Sequence, residues 1–172
     1  MARSRSFSFA DGSCTIRFMN QMVHTRGNHA VAAETRTPAS PERVFAVLAD
    51  VERWPDWTFP DDAGRERDGS PEADGLGAIR RFRTGRRITR EEVVGFDPPS
   101  AFSYVLLEGV AVRNYRGDVT IEPDGDGGSV IHWHSSFDPK FPVTGWLWRS
   151  GFRRLLRRTV SDLAAAAEPP TG

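Results

Sequence analysis

The sequence predicts one α+β domain in which a long C-terminal helix covers an antiparallel sheet. Between residues 77 and 138, runs rich in β-branched and aromatic side chains are separated by clusters of glycine, aspartate and proline. Residues 142–168 carry apolar side chains three and four positions apart and close with an alanine run, as an amphipathic helix does. Because the helices flank the strands instead of alternating with them, this order favours α+β over a parallel α/β fold.

Length and composition set the outer bounds. The chain has 172 residues and 38% hydrophobic content, which suits a single globular domain with its own core. Its formal net charge is zero, so overall charge does not indicate a nucleic-acid-binding protein. Residues 51–74 are acidic, whereas residues 80–90 and the final helix are basic. We expect two surfaces of opposite sign that attract each other at moderate range.

Residues 1–27 show neither a helical nor a strand period and lack the continuous apolar centre of a signal peptide. We expect a disordered leader, or an upstream start codon with Met19 or Met22 as the true start; a transit peptide is the alternative. The domain is expected to span residues 28–168, followed by a tail at 169–172. No apolar run reaches the length of a membrane span, so the expected location is cytoplasmic, without membrane insertion.

The first two elements of the domain are a strand and a short helix. Residues 29–37 show the alternation of a strand. The segment Ser40-Pro41-Glu42 supplies a capping hydroxyl, a proline suited to the first helical position and an acidic first turn. Apolar residues follow at helical spacing, which predicts a helix that ends near residues 50–53.

The sequence Trp-Pro-Asp-Trp follows at residues 54–57. Pro55 disfavours the helical conformation at Trp54, so we predict a turn outside the helix. Trp54 and Trp57 either plug the end of the core or line the mouth of a pocket. The residues themselves leave both alternatives open.

Five further runs predict a meander of strands, and residues 63–70 supply a weaker candidate. The five runs are residues 77–83, 86–96, 101–107, 112–122 and 129–138. Alternation places Arg80 and Phe82 on one face of the first run. In the run 86–96 the apolar residues change parity, which predicts a β-bulge.

Several short motifs occur in a characteristic order. They are Ser40-Pro41-Glu42-Arg43-Val44-Phe45, the Trp54-Pro55 break, residues 77–82, Asp97-Pro98-Pro99 followed by Tyr104, and Ile131-His132-Trp133 before the long helix. Over residues 29–168 their order and spacing resemble the polyketide cyclase/dehydrase and lipid-transport group of the START superfamily, also called SRPBCC. The resemblance implies a helix-grip fold, with a strongly curved sheet of about seven strands around the C-terminal helix. It also implies a cavity between helix and sheet that takes hydrophobic or polycyclic ligands, although the fold does not choose between carriers and enzymes.

Ionisable and aromatic residues mark the candidate site. An inward Arg80 and Glu91 would be costly under apolar side chains unless they pair. The candidate catalytic residues are Arg80, Glu91, Tyr104 and Tyr115. The candidate ligand-binding residues are Trp54, Trp57, Phe82, Leu106, Trp133, Phe137, Trp148 and Phe152. Such a pocket suits a flat ligand with a carbonyl or carboxylate group; the alternative is a structural ion pair with tyrosines that fill the core.

Other chemistry has little support in the sequence. His132 and His134 share a strand face but have no third ligand at a recognisable spacing, so no metal site is expected. The single cysteine, Cys14, excludes an intramolecular disulfide. No phosphate-binding glycine loop or nucleophile elbow occurs, and we expect no cofactor. The helix arginines (Arg149, Arg153, Arg154, Arg157 and Arg158) are expected to be solvated.

The favoured function is therefore the binding of a hydrophobic small molecule, such as an aromatic or polyketide-like one, by a monomer or homodimer without nucleic acid. A polyketide cyclase, aromatase or dehydrase that uses the same pocket is the alternative, and a protein-interaction module is a second one. On the final helix we predict Leu155, Leu156 and Leu163 as core and Trp148 and Phe152 as cavity wall.

Overall fold

A computed structural model describes residues 27–168, in which seven strands form one antiparallel sheet. The strands are β1 (His29–Thr37), β2 (Asp62–Arg67), β3 (Ile79–Thr84), β4 (Arg87–Asp97), β5 (Ala101–Glu108), β6 (Val112–Pro123) and β7 (Ser129–Pro139). Their spatial order is β1-β7-β6-β5-β4-β3-β2, so the chain meanders from β2 to β7 and β1 pairs with the last strand. The predicted α+β fold class and the strand over residues 29–37 are confirmed.

Two short helices lie between the first two strands, and one long helix follows the last strand. Helix α1 (Pro41–Ala49), a 3-10 turn (Val51–Arg53) and α2 (Trp54–Trp57) connect β1 to β2. A second 3-10 turn (Pro142–Thr144) precedes the long α3 (Gly145–Ala167). Ser40 occupies the N-cap position of α1, but its hydroxyl makes no capping bond to the helix backbone.

The predicted turn at residues 54–57 is wrong, because these residues form the short helix α2. Trp54 adopts the right-handed helical conformation, with φ −56° and ψ −39°. Pro55 lies in the first turn of α2, where an amide hydrogen would have no helical acceptor, so the proline is tolerated there. The indole of Trp54 is buried and donates a hydrogen bond to the Leu48 carbonyl at 3.0 Å.

Alternation along the strands is confirmed by burial. In β7, the side chains of Ile131, Trp133, Ser135 and Phe137 are buried. In β4 the register shifts between Val93 and Gly95, which is the predicted bulge. The bulge turns Phe96 inward, where its ring lies 5.2 Å from that of Phe45 on α1. The weak candidate at residues 63–70 is the edge strand β2.

Helix α3 packs on β1 and β7, and polar contacts hold its C-terminal end. The Thr37 hydroxyl donates to the Ala164 carbonyl at 3.1 Å. On α1, Arg43 donates to the Ala167 carbonyl at 2.5 Å and to the Glu168 carbonyl at 3.1 Å. These bonds satisfy carbonyls that a helix end leaves free, and the cation suits the negative end of the helix dipole.

The two basic segments, residues 80–90 and the final helix, differ in whether they pair with acidic residues. The predicted attraction is realised within the sheet edge, where Arg81 pairs with Asp62 and Arg90 with Glu66, both at 2.7 Å. The arginines of α3 are exposed, as expected.

No helix among residues 27–168 is long and apolar enough to cross a membrane. The predicted leader up to residue 26 and the tail at 169–172 lie outside the described residues, and those predictions stay predictions.

Candidate ligand-binding cavity

A cavity of about 300 Å³ lies between α3 and the strands β3 to β7. Its inner wall is mostly aromatic and apolar: Trp54, Phe82, Tyr104, Trp133, Phe152 and Leu156. Its outer part is lined by side chains that are exposed or partly exposed, namely Phe59, Arg87, Val110 and Leu155. The cavity is therefore a mainly apolar pocket with a mixed rim and an aromatic floor.

Strand alternation explains which side chains reach the cavity. In β4, Arg87, Thr89 and Glu91 are two positions apart, and all three line it. Phe82 on β3 and Leu106 on β5 flank them on the neighbouring strands. The charged groups of the wall come from β4, whereas α3 contributes mainly apolar side chains.

Arg80 lies beneath this wall with no solvent exposure and holds Glu91 in place. Its Nη2 donates to Glu91 Oε2 at 3.0 Å, as expected for an inward pair. The guanidinium carbon lies 4.6 Å from the ring centroid of Phe102 and 5.1 Å from that of Trp54. Tyr104 and Phe82 also lie within 5.5 Å, at 5.3 and 5.4 Å. Aromatic faces thus stabilise the cation where water does not reach it.

The pairing of Arg80 is incomplete. Its Nε and Nη1 are buried and have no hydrogen-bond partner among the described residues. Glu91 retains 14% of its side-chain exposure and points its carboxylate at the cavity. Burial raises the pKa of the Glu91 carboxyl, and the nearby Arg80 charge only partly offsets this. Glu91 is thus a carboxyl group that can accept a hydrogen bond, or hold a proton, at the cavity floor.

Two tyrosines form a hydrogen-bonded chain beside Glu91. The Trp133 indole N–H donates to the Tyr104 oxygen at 3.2 Å, and the Tyr104 and Tyr115 hydroxyls lie 3.5 Å apart. Tyr115 donates to Ser135 Oγ at 3.0 Å. Burial raises the pKa of Tyr115 to about 12, and that of Tyr104 well above its usual value. Both phenols therefore stay protonated near neutral pH and can donate hydrogen bonds.

The structure brings most of the predicted site residues together, but not all. Glu91, Tyr104 and Tyr115 line the cavity, and Arg80 lies behind them. Of the predicted ligand-binding residues, those that line the cavity are Trp54, Phe82, Leu106, Trp133 and Phe152.

Three predicted ligand-binding residues do not line the cavity. Trp57 packs against Trp54 with ring centroids 4.9 Å apart, and Phe137 packs behind Phe152 at 4.8 Å. Trp148 stacks on Phe152 at 5.6 Å, one turn before the cavity begins. The cavity lies farther along α3 than the sequence predicted, because the first turn of the helix packs directly against the ends of β1 and β7, where Gly145 is buried beside His29 and Pro139.

The core assignment of one leucine on α3 was wrong: Leu155 is 36% exposed and lines the cavity. Leu156 is buried in the hydrophobic core, as predicted, and one side of it also borders the cavity. Leu163 is fully buried, as predicted. Helical periodicity distinguishes the inner from the outer face, but it does not show where along that face the sheet stands away from the helix.

Sequence reasoning missed several wall residues. Thr89 and Arg87 share the parity of Glu91, so alternation would have found them if the bulge had been placed after Val93. Phe59 and Val110 come from loops, where no period assigns a direction. Their approach to the cavity depends on the tertiary fold alone.

The two strand histidines lie away from this site. His132 Nδ1 is 3.2 Å from Glu34 Oε2 on the neighbouring strand β1, and its side chain is 39% exposed. No group of three potential metal ligands occurs within residues 27–168. The expectation of no metal site stays a prediction.

Comparison with protein families identifies the group to which this fold and cavity belong. The family model described as polyketide cyclase/dehydrase and lipid transport matches residues 28–168. The chain belongs to this family. The resemblance drawn from the sequence motifs is therefore confirmed. No curated protein matches the chain significantly.

Solved structures show the fold of this family in distant relatives. A START superfamily protein from Mycobacterium smegmatis matches with a TM-score of 0.65 at 19% identity, over 81% of this chain and 94% of that one. The protein XoxI from Bacillus cereus matches with a TM-score of 0.66 at 16% identity, covering 80% and 94%. A norcoclaurine synthase point mutant from Thalictrum flavum, in complex with a transition-state analogue, matches with a TM-score of 0.63 at 15% identity, covering 81% and 93%. At these identities the likeness establishes the helix-grip fold of the polyketide cyclase/dehydrase and lipid-transport family, and the fold alone.

Proposed function

We propose that this protein binds a flat, hydrophobic small molecule of aromatic or polyketide type in the cavity between α3 and the sheet. The observation that carries the proposal is an aromatic-lined space of about 300 Å³ into which a few polar groups converge. Membership of a family described by polyketide cyclisation and lipid transport agrees with such a ligand.

The polar groups define what the ligand should carry. Glu91 Oε2 is engaged by Arg80, which leaves the other carboxylate oxygen for a ligand hydroxyl or amine. The Tyr104 hydroxyl can donate to a ligand carbonyl by giving up its long 3.5 Å contact with Tyr115, while its oxygen keeps accepting from Trp133. A planar molecule with both a hydroxyl and a carbonyl group on its rings satisfies both groups without leaving a buried charge unpaired.

A cavity-filling substitution tests the proposal. Leu106 lines the cavity, whereas its neighbour Leu107 faces outward and is 48% exposed. We expect Leu106→Trp to abolish binding of a hydroxyanthraquinone probe, because the larger side chain occupies the space of the ligand. Leu107→Trp is the matched control and should bind like the wild type. Tryptophan quenching measures the affinity, and native mass spectrometry detects any ligand that co-purifies.

Equal probe binding by both variants would contradict a ligand site in this cavity. Circular dichroism and thermal unfolding of Leu106→Trp distinguish a filled cavity from a misfolded protein. A bound ligand should also raise the unfolding temperature of the wild type, with a shift that grows with the logarithm of ligand concentration above its Kd, through mass action.

A cyclase or dehydrase activity is the second candidate, and the state of Glu91 favours it. Burial raises the pKa of the Glu91 carboxyl, which suits a general acid or base, and the protonated phenol of Tyr104 can polarise a carbonyl group. The cavity would supply the rest of the rate by holding a flexible chain in a reactive conformation.

This activity is tested by incubation with a poly-β-ketone thioester and product analysis by mass spectrometry. Glu91→Gln should lose at least about a hundredfold of the cyclised or dehydrated product, as expected for a general acid or base. Glu92→Gln is the control, because Glu92 points to the other face and pairs with Arg67 at 2.7 Å. If the wild type binds the thioester but yields no more product than buffer, the protein is a binding protein and not a cyclase.

A further inference from the structure

Four large apolar side chains are exposed at the beginning of α3 and in the turn before it. Phe141 is 57% exposed, Val143 83%, Trp146 74% and Leu147 55%. Apolar side chains this exposed and this close in sequence mark a contact surface more often than an ordinary protein surface. These four residues are termed the α3 patch.

Basic residues precede and follow the α3 patch in the sequence, and no acidic residue lies among them. Residues 140–158 contain six basic residues and no acidic one: Lys140, Arg149, Arg153, Arg154, Arg157 and Arg158. All six are exposed. Among residues 27–168 the only ion pair from this set joins Arg158 to Asp162, at 3.5 Å. The surface is therefore both apolar and strongly cationic.

The α3 patch adjoins the cavity. The Lys140 amide donates to the Ala111 carbonyl at 3.2 Å, next to Val110 on the cavity rim. From α3, Trp148 stacks on Phe152, which lines the cavity. A surface bound to the α3 patch would lie beside the route by which a ligand reaches the pocket.

We propose that the α3 patch docks this protein onto an anionic lipid surface. Tryptophan and phenylalanine favour the depth of the lipid headgroups, with the aliphatic side chains of Val143 and Leu147 beside them. The six cations meet the anionic headgroups, where each basic residue adds attraction. The helix lies along the membrane surface and does not cross it.

Charge disfavours the two nearest competitors for this surface. Residues 1–26 carry four arginines and one acidic residue, so the protein's own leader would be repelled by the cations around the patch. A second copy related by a two-fold axis would place the same six cations against each other. An anionic surface has the charge that complements them.

Vesicle flotation with the full-length protein tests the proposal. We expect binding to vesicles of phosphatidylcholine with phosphatidylglycerol, weak binding to phosphatidylcholine alone, and release by high salt. Trp146→Gln with Leu147→Gln should weaken binding about tenfold or more. Arg149→Gln with Arg153→Gln should weaken it about fivefold for each cation removed.

Matched controls come from exposed residues elsewhere. Leu76, 54% exposed, and Arg36, also exposed, lie outside the α3 patch, so Leu76→Gln and Arg36→Gln should bind vesicles like the wild type. None of the substituted residues lines the cavity, so binding of the anthraquinone probe should persist in every variant. Failure of docking is therefore distinguishable from failure of the proposed ligand site.

Three outcomes would overturn the proposal. Absent or charge-independent vesicle binding would exclude an anionic surface as the partner. Binding that survives both pairs of substitutions in α3 would place the contact elsewhere, for example on the basic leader. A dimer in sedimentation that dissociates on Trp146→Gln would show that a second copy covers the patch.

Discussion

Arg80 is the residue on which the cavity floor depends. It has no solvent exposure, one carboxylate partner and four aromatic rings within 5.5 Å, at 4.6, 5.1, 5.3 and 5.4 Å. Two of its nitrogens have no partner among the described residues. Arginine cannot lose its proton in a protein, whereas a carboxyl group can gain one. Removal of Glu91 and removal of Arg80 should therefore cost the protein different amounts of folding stability.

We expect Glu91→Gln to destabilise the protein more than Arg80→Met does. Without Glu91, a permanent cation stays buried without a counter-charge, at a cost of about 3–5 kcal/mol. Without Arg80, Glu91 can take up a proton, and methionine fills the vacated space. The double variant should recover part of the loss. Urea unfolding at neutral pH measures all four proteins, and a larger loss in Arg80→Met would contradict the expected asymmetry.

The stability of Arg80→Met relative to the wild type should fall as pH rises. Burial raises the pKa of Glu91 in the folded state, and removal of the cation raises this pKa further. The folded protein then binds the proton more tightly than the unfolded chain. The stabilisation from this bound proton is complete below the unfolded pKa of Glu91 and is lost as pH rises through the folded pKa. The deficit of Arg80→Met against the wild type should therefore widen between acid and neutral pH.

At the scale of strands, Gly117 makes room for Tyr104. The two residues are directly paired across β5 and β6. A Cβ atom at Gly117 would overlap the Tyr104 ring and approach its hydroxyl oxygen to 2.6 Å. The phenol thus lies across the neighbouring strand, and this orientation brings its hydroxyl to Trp133 and Tyr115.

Gly117→Ala should destabilise the protein by about 1–3 kcal/mol, because the buried ring has to move in a packed core. Tyr104→Leu should relieve part of this cost, so a double-mutant cycle should show positive coupling. Gly151→Ala is the control: its Cβ on exposed α3 meets nothing within 4 Å, and the change should stabilise the helix by about 0.5–1 kcal/mol. Additive effects of Gly117→Ala and Tyr104→Leu in chemical denaturation would argue against the contact.

At the scale of the whole molecule, the ionisation of tyrosine is linked to unfolding. The sequence contains two tyrosines, and both are buried on the cavity wall. Burial disfavours the phenolate, so it raises the pKa of Tyr115 to about 12 and that of Tyr104 well above its usual value. Their contribution to stability is complete below pH 10 and is lost as pH rises through the folded pKa of each.

Tyrosinate absorbance should therefore stay absent until strong alkali and should then rise together with the loss of circular dichroism. Tyr115→Phe should halve the amplitude, because one phenol remains. A phenol that ionises with a pKa near 10 in the folded protein would show that water reaches the cavity floor freely.

The sequence by itself determined the fold class, the strands and the inward face of most strands. Apolar alternation and turn residues are properties of neighbouring positions, so they placed Phe82 and Trp133 inside before any contact was known, and Arg80 shares the parity of Phe82. Parity left the inward face of residues 86–96 open, so a buried Arg80–Glu91 pair followed only if both side chains pointed inward. The paired strands β3 and β4 bring the two residues into register. The bulge in β4 was also predicted, because a change of parity is visible in the sequence alone.

The tertiary structure decided where the void lies and what surrounds it. Leu155 and Leu156 rather than Trp148 line it, since the distance between helix and sheet varies along α3 and no local period records that distance. Phe59 and Val110 reach it from loops. Trp54 is helical because Pro55 begins a new helix instead of ending the old one. Local patterns fix which face of an element is buried, but only the assembled sheet and helix determine which part of that face borders a cavity.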